Sequence, residues 1–442
     1  MSLLASPLGA GTPAAVSARA SRDFVLLFAT RIVRLFSYGF LAVVLVLYLR
    51  EIGFSEARIG ALLAFTLLGD AVISVTLTTR ADHLGRRRML KLGAALMILG
   101  GAGMALFSDF HLLLVAAIIG VLSPSGNEIG PFLAIEQACL AEIVRPGGRT
   151  RLFAWSHVLG FSANAVGALA GGWLAGALQH RGWAPVESYR LLLWLYAAAG
   201  GVLFALLGFC GAEIETGRGP SSAGGRPSAW HGLEKSKGHV AKLSALFMLD
   251  ALGGGFIVQS FVAYWFHRKF GADLTVLGGI LSGTTLLSGL SALAAVPLAR
   301  RFGLLNTMVF THLPSNVLLI LVPFMPTLAG AAAMLLARHL ISQMDVPTRQ
   351  SYVNAIVPAE ERSAANGVTM TLRQAGAALG PLAAGPLMAV PALAGLCFVI
   401  GGGIKGIYDL LIWRAFVRVR PPEEAHAASA DPRPQAGCAP SR

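Results

Sequence analysis

Runs of about 20 apolar residues recur from one end of this 442-residue chain to the other, the length an α-helix needs to cross a ~30 Å hydrocarbon core. Charged residues make up 13% of the chain and hydrophobic residues 55%, whereas soluble domains carry about 25% charged residues. The pattern predicts an all-α membrane protein. Short polar turns separate the runs. The most basic is Thr78-Thr-Arg80-Ala-Asp82-His-Leu-Gly85-Arg86-Arg87-Arg88-Met-Leu-Lys91, in which five basic residues outnumber one acid. Cytoplasmic loops collect Lys and Arg, so this turn is expected inside and orients every other span.

Span one covers about 24–49 and contains Arg31 and Arg34; span two covers 59–79 and contains Asp70. Span three covers about 92–107. Span four runs from His111 to about 143 through Ser123-Pro124-Ser125-Gly126-Asn127-Glu128. Pro and Gly there predict a kink or an unwound piece, which lipid tolerates only against protein or a wet cavity. Span five, about 153–178, carries Gly160, Gly167, Gly171, Gly172 and Gly176, small residues that let helices approach closely. Span six covers about 191–211. The Gly-, Ser- and Pro-rich stretch 213–238 reads as a linker. Six more spans start near Val240, Leu274, Leu304, Leu328, Gly367 and Pro391.

The expected organisation is a flexible tail (1–22), a six-helix bundle (23–212), a cytoplasmic linker (213–238), a second six-helix bundle (239–417) and a flexible tail (418–442). An even number of spans places both termini in the cytoplasm. The N-terminal stretch lacks a basic region ahead of an apolar core, so it does not read as a cleaved signal. Short loops and an Ala- and Gly-rich, basic composition suggest a bacterial inner (plasma) membrane. The net charge of +13 sits in short loops between spans, which argues topology rather than nucleic acid. Cys139, Cys210, Cys397 and Cys438 have neither metal spacing nor a disulfide framework. No metal or cofactor is expected.

The second half repeats the first at a spacing of about 213–218 residues. Ile143-Val144 and Arg149 recur as Ile356-Val357 and Arg362. Glu136-Gln137 lands on Arg349-Gln350, Gly167 on Gly380, Gly39-Phe40 on Gly255-Phe256, and Gly85 on Gly303. Six plus six spans in one orientation imply two bundles related by an axis along the membrane normal, with a binding site between them near mid-membrane.

With turn, linker and repeat together, the chain resembles a major facilitator superfamily transporter from about residue 23 to 417. Asp82, Gly85, Arg86 and Arg87 fit the family's Gly-x-x-x-Asp-x-x-Gly-Arg-(Arg/Lys) loop, with Thr78 in place of the first glycine. The second-half copy has Arg300 where the acid would stand. Gly167-Ala168-Leu-Ala-Gly171-Gly172 approaches the Gly-Pro-x-x-Gly-Gly pattern of drug–proton antiporters, and span eleven carries Gly376 and Gly380-Pro381. The resemblance implies twelve spans in two pseudo-twofold bundles, alternating access driven by a proton or solute gradient, and a latch at Asp82 and Arg86. Arg87, Arg88 and Lys91 read instead as topology, positive residues that fix the loop inside.

An ionisable residue at mid-membrane costs about 2.5–3.5 kcal/mol on insertion scales and needs a reason. Arg34 lies about ten residues into span one, ~15 Å deep at ~1.5 Å per residue. Asp70, Asp250, Glu136 and Arg349 sit at comparable depth. Arg34 and Asp250 occupy equivalent repeat positions with opposite sign, as do Glu136 and Arg349. In the family that the chain resembles, spans one, four, seven and ten line the cavity, which would set each couple on facing walls. The competing expectation is a local Arg34–Asp70 pair. Asp70, Glu136, Asp250 and Glu128 are the candidate proton carriers. In span ten, Arg338, Ser342, Asp345 and Arg349 share one helical face, expected to look into the cavity. His339 reads as packed or hydrogen-bonded, and Lys405 and Asp409, spaced i,i+4, as mutually neutralising.

The functional reading is a secondary transporter, monomeric in the bilayer, exporting a small organic solute or drug by proton antiport. The alternatives are a proton symporter importing a metabolite or organic anion, and a non-transporting receptor or scaffold. A nucleotide-binding Gly-x-x-x-x-Gly-Lys-(Ser/Thr) loop and hydrolytic or metal motifs are absent from the sequence, which argues against an enzyme.

Overall fold

The computed structural model describes residues 18–126, 131–143, 149–211, 214, 233–358 and 360–419. The described chain is almost wholly helical: α1 (Ala18–Glu51), α2 (Glu56–Leu84), α3 (Arg86–Leu106), α4 (Phe110–Ile119), α5 (Phe132–Ile143), α6 (Arg149–His180), α7 (Pro185–Phe209), α8 (Lys237–Gly255), α9 (Gln259–Phe270), α10 (Leu274–Phe302), α11 (Leu304–Leu321), α12 (Leu328–Ser342), α13 (Asp345–Ile356), α14 (Arg362–Ala389) and α15 (Leu396–Phe416). Among the described residues, nine segments are long and apolar enough to cross a membrane: α1, α2, α3, α6, α7, α8 with α9, α10, α11 and α15.

The expected spans four, ten and eleven fall outside that group, for physical reasons. Span four is broken into α4 and α5, with Pro124 and a left-handed Gly126 (φ 64°) between them. Span ten breaks into α12 and α13 at Gln343-Met344, and Pro347 falls in the first turn of α13, where its missing N–H is harmless. α14 is continuous but carries Pro381 and Pro386 and many small residues.

The repeat is visible in the backbone. Gly85 closes α2 and opens α3 at φ 103°; Gly303 closes α10 and opens α11 at φ 84°. Both are positive-φ positions that glycine adopts without steric cost. Packing follows the same symmetry. α1 lies on α6 as α8 lies on α14, and α3 lies on α7 as α11 lies on α15. Between the halves, α2 packs on α14 and α6 on α10. These close approaches need glycine: a Cβ at Gly167 would strike the Phe36 carbonyl of α1, and one at Gly380 would strike Gly255 of α8.

Because consecutive helices reverse direction, one end of the molecule holds Gly85 and Gly303 and is here the basic-turn end. The other, holding the α1–α2, α6–α7 and α9–α10 turns, is the far end.

Candidate substrate and proton pathway

In the first half, Arg34 of α1 is fully buried and donates from Nη1 and Nη2 to Oε1 and Oε2 of Glu136 on α5, at 2.6 and 2.9 Å. Thr30, one turn before Arg34, adds a hydroxyl to Glu136 Oε1 at 3.4 Å. Phe132, one turn before Glu136, lies under the guanidinium at 4.5 Å. The break after α4 lets α5 bring Phe132 and Glu136 to this position. Asp70 of α2 is buried nearby, and with Arg34 and Tyr38 it acts electrostatically on Tyr196, whose hydroxyl donates to the Val121 carbonyl.

The second half holds a larger network. Asp250 of α8 accepts from Lys405 of α15 at 2.6 Å and from Arg349 of α13 at 3.2 Å. Arg349 also reaches back one turn to Asp345 at 3.0 Å. His312 of α11 places Nε2 4.0 Å from Asp250 and Nδ1 2.8 Å from Asp409 of α15. Asn316, one turn on, donates to the other Asp409 oxygen at 2.8 Å.

Two expectations are corrected here. The couples expected across the cavity, Arg34 with Asp250 and Glu136 with Arg349, give way to couples within each half. The two bridges are symmetry mates of each other with their signs exchanged: span one gives the cation in the first half, and its repeat mate, span seven, gives the anion in the second. The reason is geometric. An ion buried in a low-dielectric interior needs a partner at hydrogen-bond distance in every state, and α5 and α13 supply one without crossing the seam. Likewise Lys405 and Asp409 do not bond each other: Lys405 turns to Asp250, and Asp409 to His312 and Asn316.

Arg338, Ser342, Asp345 and Arg349 are all buried on one face of α12 and α13. Arg338 donates to His339 Nε2 at 3.2 Å while His339 Nδ1 donates to the Leu335 carbonyl at 2.8 Å. Both residues line a cavity of about 30 Å³ with Gln259 and Thr284, room for about one water.

In the basic turn, Arg87 donates to the Leu207 carbonyl at 2.9 Å and to the Gly208 carbonyl, holding the start of α3 against the last turn of α7. A cation suits those unpaired carbonyls and the negative end of the helix dipole. Arg86 is partly buried at the start of α3. The Asp82 side chain and Glu128 lie outside the described residues. Among the other glycines, Gly171 meets Phe40 of α1 and Gly376 meets Met248 of α8, both inside one half. Gly172 meets Leu274 and Gly278 of α10, and the Pro381 carbonyl and Gly385 meet Gly60 of α2, both between halves.

The halves are joined from mid-depth to the far end. Asn164 faces Thr285 at 3.5 Å, and the Pro124 carbonyl accepts from the Ser260 hydroxyl at 2.8 Å. At the far end, Glu56 of α2 accepts from Tyr264 at 2.6 Å and Arg268 at 3.4 Å, both on α9. Arg268 also donates to the Met388 and Ala389 carbonyls that end α14. Beyond this junction lies a cavity of about 340 Å³ lined by Leu47, Arg50, Glu51, Tyr189, Tyr264 and His267. Sequence reasoning missed Glu56, Tyr264, Arg268, His312 and Asn316. The signal for the last two was a His–Asn pair at i,i+4 inside an apolar run.

The family model described as Major Facilitator Superfamily matches residues 27–381 and 243–436. The chain belongs to this superfamily. It is 31% identical over 427 residues to an uncharacterized membrane protein of Saccharomyces cerevisiae, covering 90% of this chain and 95% of the yeast protein. Among solved structures it resembles a mutant of the nucleoside transporter NupG (TM-score 0.72, 14% identity, 89% of this chain and 100% of that one). It also resembles a bacterial homologue of the human lysosomal transporter Spinster in an inward-facing conformation (0.70, 16%, 91% and 99%). A third is the inward-open xylose transporter XylE of E. coli (0.67, 15%, 92% and 99%). At these identities the likeness is one of fold. Family and fold together make the chain an integral membrane transporter rather than an enzyme.

Proposed function

We propose that this superfamily member is a proton-coupled secondary transporter of a small organic solute, working by alternating access between halves 23–212 and 239–417. The observation that carries the reading is the pair of sign-exchanged buried bridges, Arg34–Glu136 and Asp250–Arg349. Charges at this depth are costly, and each arginine can exchange its carboxylate for an anionic group of a solute, as each carboxylate can exchange its arginine for a proton. With the basic turn in the cytoplasm, both termini are cytoplasmic and the far end is external. The far-end junction at Glu56, Tyr264 and Arg268 then supports reading this as a state closed toward the outside. A solved structure of similar fold is a D-xylose–proton symporter, which supports proton coupling on this architecture. The glycine run of α6 supports export.

The test is a thermal-shift screen of the purified protein against small polar solutes and drugs, followed by flux of the hit in proteoliposomes under imposed pH gradients of both signs. Flux out of the compartment that the basic turn faces, driven by inward proton movement, is the expected result. Accumulation with the proton gradient would replace export by symport. Flux indifferent to the gradient would refute proton coupling.

A further inference from the structure

We infer that His312, held by Asp409 and facing Asp250, is the binding site of the coupling proton, a role that rests on the proton-coupled reading above. The carboxylates in contact here are Asp250, Asp345 and Asp409, and the fixed cations bonded to them are Arg349 and Lys405. These groups lie where water does not screen them. His312 stands between two of the carboxylates, Asp409 and Asp250. Its Nδ1–H donates to Asp409 at 2.8 Å, and that carboxylate is fixed from behind by Asn316 at 2.8 Å. This leaves Nε2 aimed at Asp250, 4.0 Å away. A proton delivered by hydronium forms an Nε2–H bond and leaves water. The product is an imidazolium between two carboxylates, and release is the reverse step.

Every wall of the site contributes. α8 gives Asp250, α13 gives Arg349 and Asp345, and α15 gives Lys405, Tyr408 and Asp409. Arg338 of α12 and Arg373 of α14 act on Asp250 from further off and oppose the proton. The coupling follows from shared partners. Protonated His312 is a third cation for Asp250, so it competes with Arg349 for that carboxylate and shifts Arg349 toward Asp345 on the buried face shared with Arg338. Deprotonation returns Arg349 to Asp250. The proton is thereby linked to the span-ten face without touching the solute.

The experiment uses the full chain in lipid nanodiscs, with spin labels at Ala184→Cys and Ala392→Cys in a Cys438→Ser background. These positions are exposed turns at the far end, one in each half. Distances are measured from pH 5 to 9. The expected result is a change of at least fivefold in the ratio of near to far populations across that range. His312→Gln abolishes the change, and Asp409→Asn, nearly isosteric, moves its midpoint down by at least one pH unit because the carboxylate no longer favours the imidazolium. An unchanged pH response in a folded His312→Gln protein overturns the site and leaves proton-coupled transport standing. A parent protein whose distances answer to a solute hit but not to pH overturns the site together with proton coupling, and leaves transport standing. Distances that answer to neither overturn the transport reading as well. Asp409→Asn with an unmoved midpoint removes Asp409 and with it the proposal.

Discussion

Arg34 and Glu136 form a two-pronged bridge, 2.6 and 2.9 Å long, at a point where the arginine has no exposed surface. Two parallel charge-assisted bonds fix orientation as well as distance. The bridge sits against Phe132, so the guanidinium has aromatic contact on one face and carboxylate on its edge.

Removing one partner strands the other. Arg34→Met or Glu136→Leu alone is expected to cost about 3–5 kcal/mol, the range for an uncompensated buried charge. The double variant Arg34→Met/Glu136→Leu recovers most of that loss, because two apolar side chains replace two ions. Thermal unfolding in detergent, followed by size-exclusion of a fluorescent fusion, checks both. Equal losses in single and double variants would show that the bridge does not act as a unit.

The Glu56 junction is a different kind of contact, since it joins halves rather than building one. A hydrogen bond to a charged group contributes about 1.5–3 kcal/mol, so Glu56→Gln is expected to move the near-to-far population ratio at the far end by about tenfold or more. Tyr264→Phe moves it less, because Arg268 still reaches Glu56 at 3.4 Å. Spin-label distances across the far end measure this, and stability changes little. A large drop in melting temperature without a distance change would make Glu56 a fold residue instead.

Glu361 reports on pH outside the spans. Its carboxylate accepts from the backbone N–H groups of Glu234, Lys235 and Ser236 and from the Ser236 hydroxyl. These donors, the Ser236 hydroxyl foremost, hold its pKa at about 2 against an ordinary 4.5. A depressed carboxyl pKa gives stability that is complete above the unfolded value and lost as pH falls through the folded one. Docking of 234–236 is therefore steady at neutral pH and weakens between about pH 4.5 and 2. Pepsin cleavage near Leu233 should rise across that window. Glu361→Gln should make trypsin cut at Lys235 and Lys237 severalfold faster at neutral pH. Cleavage insensitive to both changes would mean that other contacts dock the segment.

Depth was legible in the sequence and direction around the helix was not. A rise of ~1.5 Å per residue places Arg34, Asp70, Glu136 and Asp250 at one level, but a level contains several possible partners. Which one is taken depends on helix rotation, and that is set by glycines such as Gly39 and Gly167, where α1 and α6 lie against each other. The break of α4 from α5, the equivalence of Gly85 and Gly303 and the buried face of α12 and α13 were readable because Pro, positive-φ Gly and i,i+4 spacing have local causes. His312 escaped because a neutral histidine in an apolar run leaves no mark on a charge count. Tyr264 and Arg268 escaped because residues at a span's end read as topology.

Glycines at helix contacts fall into two classes with opposite expected phenotypes. Gly167 packs on Phe36 and Gly380 on Gly255, each within one half. A larger side chain there has no state in which to escape, so Gly167→Val or Gly380→Val is expected to lose folded protein outright, as overpacking of a dense core does. Gly172 packs on Leu274 and Gly278, and Gly60 on the Pro381 carbonyl and Gly385, across the seam between halves at the far end. A side chain there clashes only while the far end is closed, and rocking the halves apart relieves it. Gly172→Val and Gly60→Val should therefore fold, melt within a few degrees of the parent and show the longer far-end distance at every pH. Exposure of Leu274→Cys, buried at the same seam, to a water-soluble thiol reagent, in a Cys438→Ser background, should rise in the Gly60→Val protein and stay low in the parent. If the seam variants also fail to fold, α6–α10 and α2–α14 are permanent contacts, and the halves do not separate at the far end.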